Sequence, residues 1–204
     1  MHGGKAMTGN TENGGGRRWS RWRIAAWAAA AFTLLLPLFA MQVTDQVVWD
    51  VADFAIFAAL LVGVGVTYEV AARTTGNTAY RSAVGVALAA AFVLVWVNGA
   101  VGVIGTERDE ANLMYGGVLA VGIIGAIIAR FQPRGMARAL FATALAQAFV
   151  AVVALIAGFG STAPTWPLDI LILTGFFAAL WLISAWLFRK TAHGQPPARA
   201  ASNS

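Results

Sequence analysis

ALFATALAQAFVAVVALIAGF, running from Ala139 to Phe159, carries two polar side chains, Thr143 and Gln147, and no charge. A surface helix of a soluble protein shows a polar stripe every 3.6 residues, and a membrane-barrel strand alternates over about ten. Neither pattern is present. At 1.5 Å per residue the run is long enough to cross a hydrocarbon core about 30 Å thick. Five more apolar runs surround it, with Glu69 the one charged residue among them: Ile24–Met41, Phe54–Ala72, Ser82–Ile104, Asn112–Ala129 and Ile170–Phe188. The reading is an all-α membrane protein with six transmembrane helices over residues 24–188. A basic, aromatic tail precedes them at 1–23 and a second tail, expected to be disordered, follows at 189–204. The glycine-rich part of the first tail has nothing to bury and is expected to be disordered.

Composition agrees. Of 204 residues, 59% are hydrophobic and 11% charged, whereas soluble domains carry roughly 25% charged residues. The net charge of +5 does not point to nucleic acid, because the basic residues sit in short clusters between apolar runs. Lys5, Arg17, Arg18, Arg21 and Arg23 precede the first run, and Arg73 and Arg81 fall in the second connection. Arg130, Arg134 and Arg138 fall in the fourth, and Arg189, Lys190 and Arg199 follow the last run. Arg108 alone lies on the other side. The positive-inside rule then predicts both termini in the cytoplasm. The first run also has the basic flank and small residue of a signal peptide, with Ala40 as a cleavage point. Its length of 18 residues exceeds the roughly 7–15 of a signal core, which favours a retained helix.

A repeat recurs at an offset of 57 residues. Ala72-Arg73 matches Ala129-Arg130, Arg81 matches Arg138, and the stretch Ala87–Val93 matches Ala144–Val150 except at Ala90 and Gln147. Helices 2–3 and 4–5 are therefore expected to be equivalent hairpins. Carried outward, the offset pairs Asp50 with Glu107 and Asp53 with Glu110. These four acids have two readings. They stabilise helix starts through capping and the macrodipole, or they form an acidic periplasmic rim that attracts cations or a basic partner. Glu69 stands four residues before Arg73, the favourable order for a helical ion pair.

Asn98 and Gln147 are the polar side chains expected inside the membrane, either as hydrogen-bonding glue between helices or as part of a solute path. Small residues at four-residue spacing (Ala87 and Ala91, Gly122 and Ala126, Gly125 and Ala129) allow close helix approach. Trp19, Trp22, Trp49, Trp166 and Trp186 fall near crossing ends, as an interfacial belt would. The Arg17–Arg23 segment alternates Arg with Trp and is expected against anionic headgroups.

No cysteine is present, His2 and His193 lie in the tails, and Lys5 and Lys190 are the only lysines. Thiolate metal sites, haem ligation by an intramembrane histidine and a helix-buried Schiff-base lysine are thereby excluded. No HExxH, GxSxG, Walker A or dinucleotide motif occurs. No catalytic, cofactor or metal residue is assigned.

Three stretches carry a resemblance: Met41-Gln42-Val43-Thr44-Asp45 with Trp49 and Asp53-Phe54, Ala111–Tyr115, and Ala129–Arg138. They resemble a group of small, uncharacterised integral membrane proteins of bacteria over roughly residues 24–160. The resemblance implies a bacterial inner membrane and transfers no activity. The sequence reading is a non-catalytic accessory, structural or interaction component, with a membrane protein partner or a homo-oligomer. The alternative is a small-solute or cation transporter or channel that uses the acidic rim.

Overall fold

The computed structural model describes residues 14–44, 48–106 and 109–193, with the backbone alone at 14–22 and 193. The described residues form helices and turns without strands. In order they are α1 (Gly14–Val43), α2 (Val51–Thr74), α3 (Thr78–Ala100), a 3-10 turn (Glu110–Leu113), α4 (Met114–Ile128), α5 (Pro133–Ala157) and α6 (Leu168–His193). Six helical segments among the described residues are long and apolar enough to cross a membrane. The protein is a multi-pass integral membrane protein.

Helix ends differ from the apolar runs where local chemistry decides them. α1 begins at Gly14, so it takes in Gly14–Gly16, expected to be disordered, and Arg17–Arg23, expected to lie outside the helix. Once the apolar run pays for nucleation, arginine extends a helix at little cost. α6 likewise carries Arg189 and Lys190. α5 begins at Pro133 rather than Ala139, since proline suits the first helical turn, where its missing N–H loses nothing. α3 stops at Ala100 instead of Ile104, and Val101 closes it with an N–H to the Val97 carbonyl.

The chain divides into two units, residues 1–65 and 66–204. The first holds α1 and the start of α2. There the Trp27 ring lies over Gly65, where an added Cβ would stand 3.0 Å from it. Trp49 packs edge-on to Phe54 and Phe57, with ring centroids 5.1 and 5.5 Å apart.

The second unit holds the end of α2 with α3–α6. α5 packs against both α4 and α6, and α6 packs also against α3. The buried core includes Leu94, Tyr115, Val118, Leu140, Ala154, Phe177, Trp181 and Phe188. Small residues set the α4–α5 spacing. A Cβ on Gly125 would come 2.7 Å from that of Ala139, and one on Gly122 would come 3.2 Å from the Thr143 hydroxyl. Ser184 on α6 donates to the Ala83 carbonyl of α3 at 2.7 Å.

The turns of the two hairpins follow different paths. Between α2 and α3, the Asn77 side chain caps α3 by accepting from the Tyr80 N–H at 3.1 Å. Between α4 and α5, Arg130 and Phe131 both take the left-handed conformation, with φ of 48° and 58°. The Arg130 N–H bonds Ile127 and the Phe131 N–H bonds Ala126, closing α4 as a Schellman motif with arginine in the usual glycine position. Tyr80 donates its hydroxyl to the Phe131 carbonyl at 2.8 Å. The 57-residue offset therefore does not extend to the backbone of the turns.

Candidate functional site

The α3–α4 connection is where polar chemistry concentrates. Gly102 and Gly105 adopt positive φ (75° and 67°), which turns the chain back so that Val103 and Ile104 are buried outside any helix. Their amides then need partners, because an orphaned buried N–H is costly. Asn112 supplies them. Its side-chain oxygen accepts from the Val103 and Ile104 amides at 3.0 and 2.9 Å. Its nitrogen donates to the Ile104 and Thr106 carbonyls at 3.1 and 2.7 Å. One buried amide thus uses both faces to hold a whole loop. Asn98, near the end of α3, donates to the Asn112 carbonyl at 3.0 Å.

The loop between α5 and α6 closes onto this structure. Gly158 ends α5 at φ 70°, and Phe159 returns its N–H to Ala154 at 2.9 Å, a Schellman closure. Gly160, at φ 72°, lies against Gly105: an added Cβ would stand 2.7 Å from the Gly105 nitrogen. Two backbones therefore touch where no side chain fits. A cis bond joins Trp166 to Pro167. Asp169 accepts from the Ile170 N–H at 2.8 Å and from the Thr165 hydroxyl at 3.1 Å.

The acidic residues are used locally. Asp50 and Asp53 cap one another: the Asp50 N–H donates to the Asp53 carboxylate at 3.0 Å, and the Asp53 N–H to the Asp50 carboxylate at 2.9 Å. Their reciprocal geometry is that of a capping box, with acids in both places. Glu110 is exposed in the first turn of the 3-10 segment. Glu107 lies outside the described residues. Glu69 pairs with Arg73 along α2. Among the described residues no three His, Cys, Asp or Glu side chains are grouped to hold a metal.

Gln147 is fully buried on α5, and neither atom of its amide has a hydrogen-bond partner. The Asn98 oxygen is also without one. Sequence reading singled out both residues but passed over Asn112, which it placed at a helix start. The signal was present: two glycines ahead of an Asn that opens an apolar run mark a side-chain-held turn. Comparison with protein families, with curated proteins and with solved structures finds no match for this chain.

Proposed function

We propose that the protein is a non-catalytic structural or interaction component of a bacterial inner membrane, with both termini cytoplasmic and the Arg17–Arg23 segment against anionic headgroups. One observation carries this reading: Asn112, the Asn98 amide nitrogen, Asp50 and Asp53 at the connections are committed to the chain's own backbone. Asn112 holds residues 103–106, Asn98 holds Asn112, and Asp50 and Asp53 cap α2. A polar group already bonded at home is a poor lining for a hydrophilic path. The same geometry supports capping over a cation-attracting rim for Asp50 and Asp53. The exposed apolar faces of α1 and α2, including Phe32, Phe39, Ile56 and Val70, are surfaces that lipid or another membrane helix can cover. Purification in mild detergent followed by native mass spectrometry tests the reading. A stoichiometric partner protein supports it; a lone chain or homo-oligomer that accumulates solute in vesicles overturns it.

A further inference from the structure

Three helices that pack side by side each bring a buried polar group without a partner into the second unit. These are the Tyr115 hydroxyl on α4, both amide atoms of Gln147 on α5, and the Thr174 hydroxyl and Trp181 indole N–H on α6. All four side chains are nine-tenths or more buried. Register sets their depths in succession from the connecting loops inward. Gly125 opposes Ala139 and Gly122 opposes Thr143 across the antiparallel α4–α5 contact. One turn on, Val118 comes level with Gln147, and Tyr115 lies a further turn toward the 101–113 loop. On α6, Thr174 is about 9 Å and Trp181 about 20 Å from the helix start, counted at 1.5 Å per residue. Gln147 is about 15 Å from the matching end of α5, so its depth falls between them. The Tyr115 and Thr174 hydroxyls lie within reach of each other, and a hydrogen bond between them would still leave one O–H donor and further acceptor sites unused.

An amide offers two donors and an acceptor, each hydroxyl offers both, and an indole only donates. Leaving all of them dry in a low-dielectric interior is strongly unfavourable. No charged side chain is buried among the described residues, and Asp169, the carboxylate felt at Tyr115, is held by the Ile170 N–H and the Thr165 hydroxyl. The matching occupant is small, neutral, and both donor and acceptor. We propose that α4, α5 and α6 enclose a water-holding polar site built by Tyr115, Gln147, Thr174 and Trp181. It ends toward the α4–α5 turn, where Thr143 bonds its own Ala139 carbonyl at 2.9 Å and Ser184 bonds Ala83. It opens toward the connecting loops, where the Asn98 oxygen and Trp166 indole N–H are also unpartnered. Ordered water bridging such groups is part of a structure, not a defect in it.

Pulsed X-ray radiolysis of the full chain in lipid nanodiscs with oxygen-18 water reads the site directly, because hydroxyl radicals form at bound water. Tyr115 and Trp181 should take up label several-fold faster than Phe188, an aromatic buried as deeply. Gln147→Leu should cut that labelling several-fold and lower the unfolding midpoint, whereas Gln147→Asn should retain part of both. Labelling of Tyr115 and Trp181 no faster than that of Phe188 overturns the proposal. So does a Gln147→Leu variant with unchanged labelling and a raised midpoint, which is the behaviour of a dry amide. The wild-type comparison decides by itself if Gln147→Leu does not fold.

Discussion

At the residue scale, Asn112 does the most with the fewest atoms. Four hydrogen bonds leave its amide, and each ends on a backbone group of residues 103–106. Truncation strands several buried backbone groups at once, each worth roughly 1–3 kcal/mol when left unpaired, with partial relief from relaxation. Asn112→Ala should therefore cost about 3 kcal/mol in a detergent unfolding titration. Asn112→Asp keeps the acceptor and loses the donors, so it should fall between wild type and alanine. The acids behave differently because water reaches them. Asp53→Asn and Glu110→Gln should each change stability by about 1 kcal/mol or less. Thermal unfolding with and without divalent cations checks this. Cation-dependent stabilisation of the wild type that either variant loses would restore the acidic rim. Asn98 and Gln147 could be picked out in the sequence because polar side chains are rare in such runs. Tyr115, Thr174 and Trp181 could not, since nothing local separates a buried aromatic or hydroxyl from one at the interface.

At the element scale, helix ends and helix contacts are decided by different forces. Arg130 occupies a left-handed position that costs an L-residue roughly 1–2 kcal/mol, part of which glycine returns through its greater freedom when unfolded. Arg130→Gly should accordingly stabilise the protein by about 0.5–1 kcal/mol in an unfolding titration. A loss would mean that the guanidinium makes a compensating contact. The α4–α5 contact is set by absent atoms. Gly125→Leu drives a side chain into Ala139, and overpacking of this kind costs about 1–3 kcal/mol. The same substitution at Gly116, where nothing lies within 4 Å of an added Cβ, should be close to neutral. Comparing the two variants in one unfolding series checks the contact. Small-residue spacing announced the close approach in advance. It did not announce the partner, because spacing along one helix says nothing of which neighbour it meets.

At the scale of the whole molecule, charge distribution bears on threading. Reporter fusions after Gln132 and Gln195 should read cytoplasmic, and those after Thr106 and Thr162 periplasmic. A periplasmic signal at Gln132 would overturn the orientation, because the arginines at 130, 134 and 138 would then sit on the wrong side. The repeat belongs to this scale as well. Its matched arginines lie beside turns that differ in path, one capped by Asn77 and the other closed by left-handed Arg130 and Phe131. Turn geometry answers to local residues, and Thr75-Gly76-Asn77 share nothing with Gln132-Pro133-Arg134.

What the sequence determined by itself is the class: six helices, because runs almost without charge and without a polar stripe, each about a bilayer thickness long, have no other way to satisfy their backbone in lipid. That is a local property, summed over about twenty residues at a time. Only the tertiary structure decided that α5 packs against both α4 and α6 and that Asn112 organises the α3–α4 loop. It alone brought Gly105 and Gly160 into backbone contact and left Gln147 buried with an unpaired amide. These depend on which faces meet across large separations in sequence. In helices apolar on every side, no stripe marks the inward face, so packing and not pattern selects it.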